Sequence, residues 1–183
     1  MELALDRSWE GCRVVAAQVD ALERPGAFER ALAEVSESRR RKVLAYRFAR
    51  DQRTSLLAGM LLDELLGDFG LRERDMTYCE NEHGKPFFAG RPDLFFSLAH
   101  SGRMAVAALA AYPIGVDVED LSSFPYDCTD PRTWTTMESV GKAIGIGVGP
   151  YVDSGTFAVP DGFRVEHLDC AGHLVCIAFC APG

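Results

Sequence analysis

Short stretches of alternating apolar and polar residues lie between longer stretches with helical spacing, and this pattern predicts mixed α and β structure. Helical spacing indicates helices at 28–35, at 36–46 with Ser36 as the N-cap, and at about 48–69. Alternation and runs of β-branched or aromatic residues predict strands at 13–19, 76–80, 86–88, 94–98, 104–110, 114–119, 163–169 and 174–180. The last two strands would form a closing hairpin around Gly172, and the polar, proline-containing segment 120–131 is expected to be a loop.

Composition and charge limit the class of protein. With 183 residues, of which 48% are hydrophobic, the chain can bury a sizeable core as one domain or as two closely packed halves. The formal charge of −8 argues against a general binder of nucleic acid or of anionic membranes. There is no basic stretch followed by a long apolar run at the N-terminus, and the longest apolar stretch, 104–112, is too short to span a bilayer. We therefore expect a soluble, cytoplasmic protein, and a monomer.

The cysteines do not follow the spacing of a zinc site. The chain has six of them, with no Cys-x-x-Cys pair, at Cys12, Cys79, Cys128, Cys170, Cys176 and Cys180. In a reducing compartment, free thiols are expected, several of them on buried strand faces.

Two groups of charged residues carry the candidate chemistry. Asp117 and Glu119 are two apart on a predicted strand, so both carboxylates should point to the same face. Glu138 and Lys142 are four apart in a stretch with helical spacing, so they share a helix face. Three oxygen donors and one cation predict a divalent-metal site that receives a phosphate ester.

Other charged or glycine-containing features have ordinary explanations when taken singly. The run Arg39-Arg40-Arg41-Lys42 is typical of a solvated helix face, and a lone histidine such as His100 is usually structural. An isolated Asp-x-Glu is often an exposed strand edge, and Gly145-x-Gly147 is an ordinary loop.

Five motifs, however, follow one another between Ser36 and Gly147. They are the basic helix with the helix start Ser55-Leu56-Leu57, the turn Gly84-Lys85-Pro86, the segment Phe96-Ser97-Leu98-Ala99-His100-Ser101-Gly102, the strand Gly115-Val116-Asp117-Val118-Glu119, and the segment from Trp134 through Glu138 and Lys142 to Gly147. In type and order they resemble the motifs of the Sfp-type 4′-phosphopantetheinyl transferases. Each motif is weak alone, whereas five in order are specific.

This resemblance implies an α+β fold. Members of the family are a pseudo-two-fold pair of subdomains, each a small antiparallel sheet with a long helix, and the cofactor lies in the cleft between them. We place the first subdomain at 1–110 and the second, shortened one at 111–183. Clefts between packed halves are common ligand sites.

The resemblance also implies a reaction. These enzymes transfer the 4′-phosphopantetheine arm of coenzyme A to a serine of an apo acyl or peptidyl carrier protein and release adenosine 3′,5′-bisphosphate. Magnesium is the usual ion, with manganese as an alternative, and Asp117, Glu119 and Glu138 would be its ligands. Lys142 would neutralise a phosphate near the pantetheine. Glu138 would also be the base, directly or through a metal-bound water, so that two functions compete on one side chain.

The family further implies how coenzyme A is held. Arg39 and Lys42, three apart on one helix face, match the positions that bind the 3′-phosphate, with Ser55 and Arg53 nearby. Contacts to the pyrophosphate or ribose phosphate are implied for Lys85 and His100, while Pro86 would shape the adenine side.

The chain also departs from the family pattern. Met137, Ala99 and Ser97 replace a lysine, a serine and an asparagine, and only eighteen residues separate Glu119 from Glu138, where the family carries a longer insert. Two alternatives therefore stay open beside an active transferase. One is a non-catalytic relative that binds coenzyme A or a carrier protein, and the other is a magnesium-dependent hydrolase of another phosphoanhydride.

Overall fold

The computed structural model describes residues 1–9, 11–125 and 130–180, except the side chain of Ser154. The strands in these residues are β1 (Leu5–Trp9), β2 (Cys12–Gln18), β3 (Tyr78–Glu80), β4 (Pro86–Phe88), β5 (Phe95–Ser101), β6 (Met104–Ala110), β7 (Ile114–Asp120), β8 (Arg164–Cys170) and β9 (His173–Phe179). The helices are α1 (Asp20–Glu23), α2 (Ala27–Glu34), α3 (Glu37–Ala45), α4 (Ala49–Gly67), α5 (Pro131–Ile144) and α6 (Gly149–Ser154), with a 3₁₀ turn at Glu73–Asp75.

The strands form small antiparallel sheets. The first sheet has the order β1-β2-β6-β5, the second has the order β7-β9-β8, and β3 and β4 form a separate hairpin. The prediction of mixed α and β structure with small antiparallel sheets is confirmed, whereas the pseudo-two-fold relation between halves stays a prediction.

Helix α4 covers one face of the first sheet. Leu57 and Leu61 of this helix are fully buried in one core cluster with Val15 and Ala107 of the sheet. This apolar stripe at helical spacing explains why the longest predicted helix forms where it does.

The opposite face of the first sheet packs on the second sheet. A second core cluster joins alternate residues of the two sheets, such as Val14 and Val106 on one side and Val116 and Ile177 on the other. The period of two places successive side chains of β2 and β6 in different clusters. Helix α5 then covers the outer face of the second sheet, against β7 and β9. The resulting layers, α4, sheet, sheet and α5, bring β5 next to β7.

Helix ends follow local chemistry that the sequence shows. The predicted N-cap Ser36 accepts a hydrogen bond from the backbone N–H of Arg39 at 3.1 Å. At the start of α5, Asp130 accepts from the N–H of Thr133 at 3.0 Å, and Pro131 occupies the first helical turn.

Several elements were not predicted. Strand β1 is mostly exposed and polar, and it is held by antiparallel pairing with β2. Helix α1, helix α6 and the 3₁₀ turn are six residues or shorter, too short for a periodic signal. Part of the predicted loop, 126–129, lies outside the described residues.

Two expectations concern the whole chain. In the described part of the chain, no helix is long and apolar enough to cross a membrane. Cys12, Cys170 and Cys176 are free, buried and on strands, and Cys79 and Cys180 are also free, which confirms the prediction for the described cysteines. Cys128 lies outside the described residues.

Candidate active site

Three adjoining cavities form one cleft between the first sheet, helix α3 and helix α5. Their volumes are about 410, 280 and 250 Å³, and Lys42 lines all three. The predicted site residues that line this cleft are Arg39, Lys42, Ser55, Lys85, Pro86, His100, Asp117, Glu138 and Lys142. The folded chain therefore brings together residues that are up to about a hundred positions apart in the sequence.

A glycine sets the distance between α5 and β7. A Cβ atom on Gly115 would overlap the backbone carbonyl of Ser139 and approach the backbone nitrogen of Ala143 to 2.5 Å. The helix can therefore lie close on the strand because position 115 has no side chain. This approach places the Glu138–Lys142 face of the helix beside Asp117.

Asp117 is the most buried carboxylate of the acidic group, with 5% of its surface exposed. Its Oδ1 accepts from the Lys142 ammonium at 2.7 Å, while its Oδ2 is buried without a hydrogen-bond partner in the described part of the chain. Burial raises the pKa of Asp117 to about 7, and the Lys142 ammonium opposes this shift. A buried oxygen with no partner is a costly arrangement that a bound cation would relieve.

Glu138 and Glu119 are held differently. Glu138 Oε2 lies 3.6 Å from the Lys142 ammonium, and 22% of this side chain is exposed, so the carboxylate can reach the open cleft. Glu119 accepts hydrogen bonds on both oxygens, from the Ser101 hydroxyl at 2.9 Å and from the Trp134 indole at 3.2 Å. Ser101 also accepts from the backbone N–H of Asp120 at 3.1 Å, which ties β5 to β7 at this point.

The donor set fits a hard divalent cation. Asp117, Glu119 and Glu138 offer only oxygen ligands, and the charges of Glu138 and Glu119 both act to raise the pKa of Asp117, so the three are electrostatically near. Within the described residues no three acidic, histidine or cysteine side chains are close enough to hold a metal as they stand. The Lys142 ammonium lies between Asp117 and Glu138 and supplies the positive charge there.

Arg39 does not lie on a solvated helix face. Only 6% of this residue is exposed, and its Nε donates to Glu73 Oε1 at 3.0 Å. Lys42, one helical turn on, is exposed, although partial burial of its ammonium group and the nearby Arg39 charge lower its pKa. Both residues line the 410 Å³ cavity, so the prediction that they share a face is confirmed.

Lys85 reaches across the cleft. Its ammonium donates to the carbonyl of Ala143 at 2.9 Å, and Asn81 of the same turn donates to the carbonyl of Gly145 at 2.8 Å. These bonds satisfy carbonyls at the C-terminal end of α5, where cations are favoured. Burial lowers the pKa of Lys85 to about 8. Gly145 ends α5 with φ of +90°, a left-handed conformation that glycine adopts readily.

Two of the remaining predicted residues, His100 and Ser55, line the cleft, whereas Arg53 does not. His100 lines the cleft, lies 3.4 Å from the Tyr46 hydroxyl, and has a pKa lowered by burial. Ser55 is buried and lines the same cavity. Arg53 is not among the residues that line the three cavities, and its charge instead acts on Glu23.

Met137, which stands where the motif resemblance implies a lysine, is buried, with 9% of its surface exposed, on helix α5, which packs against β7 and β9.

The sequence reasoning missed four residues of the site. Glu73 and Tyr78 bond Arg39, Tyr46 contacts His100, and Asn81 binds the end of α5. None of them belongs to a motif with its own chemistry, and each acts through a partner distant in sequence. Asn81 does show a local turn signal, because its side chain accepts from the N–H groups of His83 and Lys85.

Cations on one wall of a cleft and carboxylates on the other are typical of enzymes that transfer phosphate-containing groups.

No family model matches the chain. A 4′-phosphopantetheinyl transferase of Bacillus subtilis is 27% identical in a match that covers 85% of this chain and 81% of that protein. The 4′-phosphopantetheinyl transferase Sfp of Bacillus subtilis (strain 168) is 30% identical over 50% of this chain and 41% of its own length. The 4′-phosphopantetheinyl transferase gsp of Aneurinibacillus migulanus is 25% identical over 62% of this chain and 57% of its own length.

These matches confirm the resemblance seen in the motifs: the chain is similar in sequence to several 4′-phosphopantetheinyl transferases. The match covers most of the length of the 27% identical relative, but less than half of the length of Sfp.

Proposed function

We propose that this protein transfers the 4′-phosphopantetheine arm of coenzyme A to a serine of an apo acyl or peptidyl carrier protein and releases adenosine 3′,5′-bisphosphate. The observation that carries the proposal is the continuity of the cleft. Through Lys42, it joins a cationic wall suited to phosphates with an acidic wall suited to a divalent cation. The transferase names of the relatives support the same reaction.

In this proposal coenzyme A lies along the cleft. Arg39 and Lys42 bind its 3′-phosphate, with the Ser55 hydroxyl as a further donor. Lys85 and His100 contact the pyrophosphate, and Pro86 borders the adenine side. The two-subdomain organisation, 1–110 and 111–183, belongs to the same proposal, because residues from both ranges line the cleft.

Asp117, Glu119 and Glu138 would hold Mg²⁺, or Mn²⁺. The buried Oδ2 of Asp117, which has no hydrogen-bond partner among the described residues, is the main support for a cation here. When bound, such an ion neutralises charge that develops on the diphosphate oxygens during transfer.

Chemically, the serine oxygen of the carrier forms a bond to the phosphorus next to the pantetheine, and the bond from that phosphorus to the bridging oxygen breaks. The serine proton passes to a base, for which Glu138 is the candidate because its carboxylate is partly exposed to the cleft. The electron pair of the broken bond stays on the leaving adenosine 3′,5′-bisphosphate. Lys142, already held beside Asp117 and Glu138, places a positive charge near the reacting phosphate.

We place the activity in the cytoplasm, and the free state of the described cysteines supports a reducing compartment.

The proposal is tested by mass spectrometry of apo carrier proteins from fatty-acid, polyketide and peptide pathways, incubated with coenzyme A, Mg²⁺ and the protein. We expect one carrier to gain a phosphopantetheine on a single serine. Binding of coenzyme A by calorimetry, without modification of any carrier, would instead identify a non-catalytic relative. Release of phosphopantetheine into solution without carrier modification would identify a hydrolase.

A further inference from the structure

Three side chains form a buried polar cluster at the edge of the cleft: Arg39, Glu73 and Tyr78, which we name the Arg39 clamp. We propose that Glu73 and Tyr78 are positioning residues that aim the Arg39 guanidinium at the 3′-phosphate of coenzyme A. They would thereby determine the preference for coenzyme A over 3′-dephospho-coenzyme A. This inference rests on the proposed function, because it names the selectivity of the same site.

The contacts of the clamp form a closed triangle. Arg39 Nε donates to Glu73 Oε1 at 3.0 Å, and Arg39 Nη2 donates to the Tyr78 hydroxyl oxygen at 3.3 Å. The Tyr78 hydroxyl in turn donates to Glu73 Oε1 at 2.7 Å. Each member therefore restrains the other two, and the guanidinium plane has little freedom to rotate.

The stem of Arg39 lies in a slot that the packing of α3 on α4 creates. A Cβ atom on Gly59 of α4 would come within 2.6 Å of Arg39 Nε and 2.8 Å of its Cδ. The absence of a side chain at this one position gives the arginine its path. A glycine in the middle of a helix lowers helix stability relative to alanine, so this slot is formed at a cost to α4.

Glu73 and Tyr78 are themselves held from outside the clamp. The backbone N–H of Glu73 donates to Asp63 Oδ1 of α4 at 2.8 Å, which anchors the 3₁₀ turn. The Tyr78 ring packs against Phe88 and Phe96, with ring centroids 5.2 and 5.8 Å apart. The clamp is therefore rigid before any ligand arrives.

The cluster leaves donors for a ligand. A guanidinium has five N–H groups, and the contacts to Glu73 and Tyr78 use one on Nε and one on Nη2. Arg39 lines both the 410 and the 250 Å³ cavities, where an anion would meet the remaining donors. Glu73 already neutralises the charge of Arg39. Arg39 must therefore recognise the phosphate through well-directed N–H hydrogen bonds more than through net charge.

Two substitutions test the clamp without removing Arg39. Tyr78→Phe deletes one hydroxyl and keeps the packed ring, and Glu73→Gln keeps the side-chain shape and deletes the charge. Glu166→Gln is the control, because Glu166 lies on β8 and is not among the residues that line the cleft. Dissociation constants for coenzyme A and for 3′-dephospho-coenzyme A are measured by calorimetry for the wild type and each variant.

We expect Tyr78→Phe and Glu73→Gln each to raise the Kd of coenzyme A about tenfold and to leave that of 3′-dephospho-coenzyme A within about twofold. Glu166→Gln should leave both constants unchanged. An unchanged ratio of the two constants in Tyr78→Phe overturns the proposal, and this variant decides if Glu73→Gln fails to fold. Tighter binding of coenzyme A by Glu73→Gln also overturns it, because Glu73 would then act only by screening charge. A wild type that does not bind coenzyme A contradicts the proposed function itself, so the two failures are distinct.

Discussion

Each wall of the cleft contains an ion pair, and the two pairs are built differently. Arg39 and Glu73 are both almost fully buried, and a third group, Tyr78, bonds each of them. Lys142 and Asp117 are closer together, at 2.7 Å, yet the lysine side chain is 29% exposed and is shared with Glu138. Asp117 also keeps one buried oxygen without a partner in the described residues.

The difference shows what each wall can do. A saturated pair such as Arg39–Glu73 resists change, because moving either partner leaves a buried charge unpaired. The Lys142–Asp117 pair has unused acceptor capacity and a cation with two possible partners, so it can exchange the ammonium for another cation. We therefore interpret the first wall as a rigid recognition surface and the second as the wall where charge changes during reaction.

The largest expected effect comes from the acidic wall. Glu138→Gln should lower the rate of carrier modification by a factor of about 10² to 10⁴, because the candidate base is lost. The Kd of coenzyme A should change little, since in the proposed function the opposite wall binds the nucleotide. Glu166→Gln on β8, outside the residues that line the cleft, serves as the control. Unchanged turnover in Glu138→Gln would remove this residue from the mechanism.

The stabilities of the two pairs should differ as well. Arg39→Met should lower the free energy of unfolding by about 3–5 kcal/mol, because Glu73 is left charged and buried. Lys142→Met should lower it by only about 1 kcal/mol, because Asp117, with its pKa already near 7, can take up a proton. Urea denaturation of both variants measures the difference.

Arg41→Met is the reference for that experiment, since Arg41 and its partner Glu37 are more than 70% exposed. We expect a change within about 0.5 kcal/mol for this variant. Equal losses in Arg39→Met and Lys142→Met would show that the two walls do not differ in the way described.

A smaller effect is expected at Lys42, the exposed lysine on the same wall as Arg39. Lys42→Ala should weaken coenzyme A about five- to tenfold and 3′-dephospho-coenzyme A far less, because one charge-assisted contact is lost without disturbing the core. Arg41→Ala, the neighbouring residue that does not line the cleft, provides the comparison. Similar losses for both ligands would reduce Lys42 to a surface charge.

The smallest effect concerns His100, which lies between the walls. Burial, together with the charges of Lys142 and Lys42, lowers its pKa below the ordinary value of 6.5. When the pH falls below 6.5, His100 binds a proton in the unfolded state before it does so in the folded state. Neutral His100 therefore contributes to the free energy of unfolding above pH 6.5, and this contribution is lost as the pH falls through the lower pKa of the folded state. His100→Asn should flatten this acid-side decrease in the free energy of unfolding, measured by urea denaturation from pH 5 to 7.5. A decrease of the same steepness in the variant would assign it to other groups.

The sequence by itself determined the main elements and most members of the site. The continuous apolar run of β6, the alternation in β7 and the helical stripe of α4 are local patterns, and local geometry converts them directly into buried faces. The spacing of Asp117 with Glu119 and of Glu138 with Lys142 is likewise a local property, so these pairs could be assigned before any fold was known.

Tertiary structure decided how those residues are used. The burial of Arg39, its pairing with Glu73 34 positions away, and the bond from Lys85 to Ala143 58 positions away depend on how helices and sheets meet. Charge alone does not distinguish Arg39 from Arg41, because both belong to one basic run. Arg39 is buried because its side chain lies in the slot beside Gly59, whereas Arg41 is more than 70% exposed. Within the described residues, Oδ2 of Asp117 is buried without a hydrogen-bond partner, and this also depends on tertiary packing, because α5 lies close on β7 at Gly115.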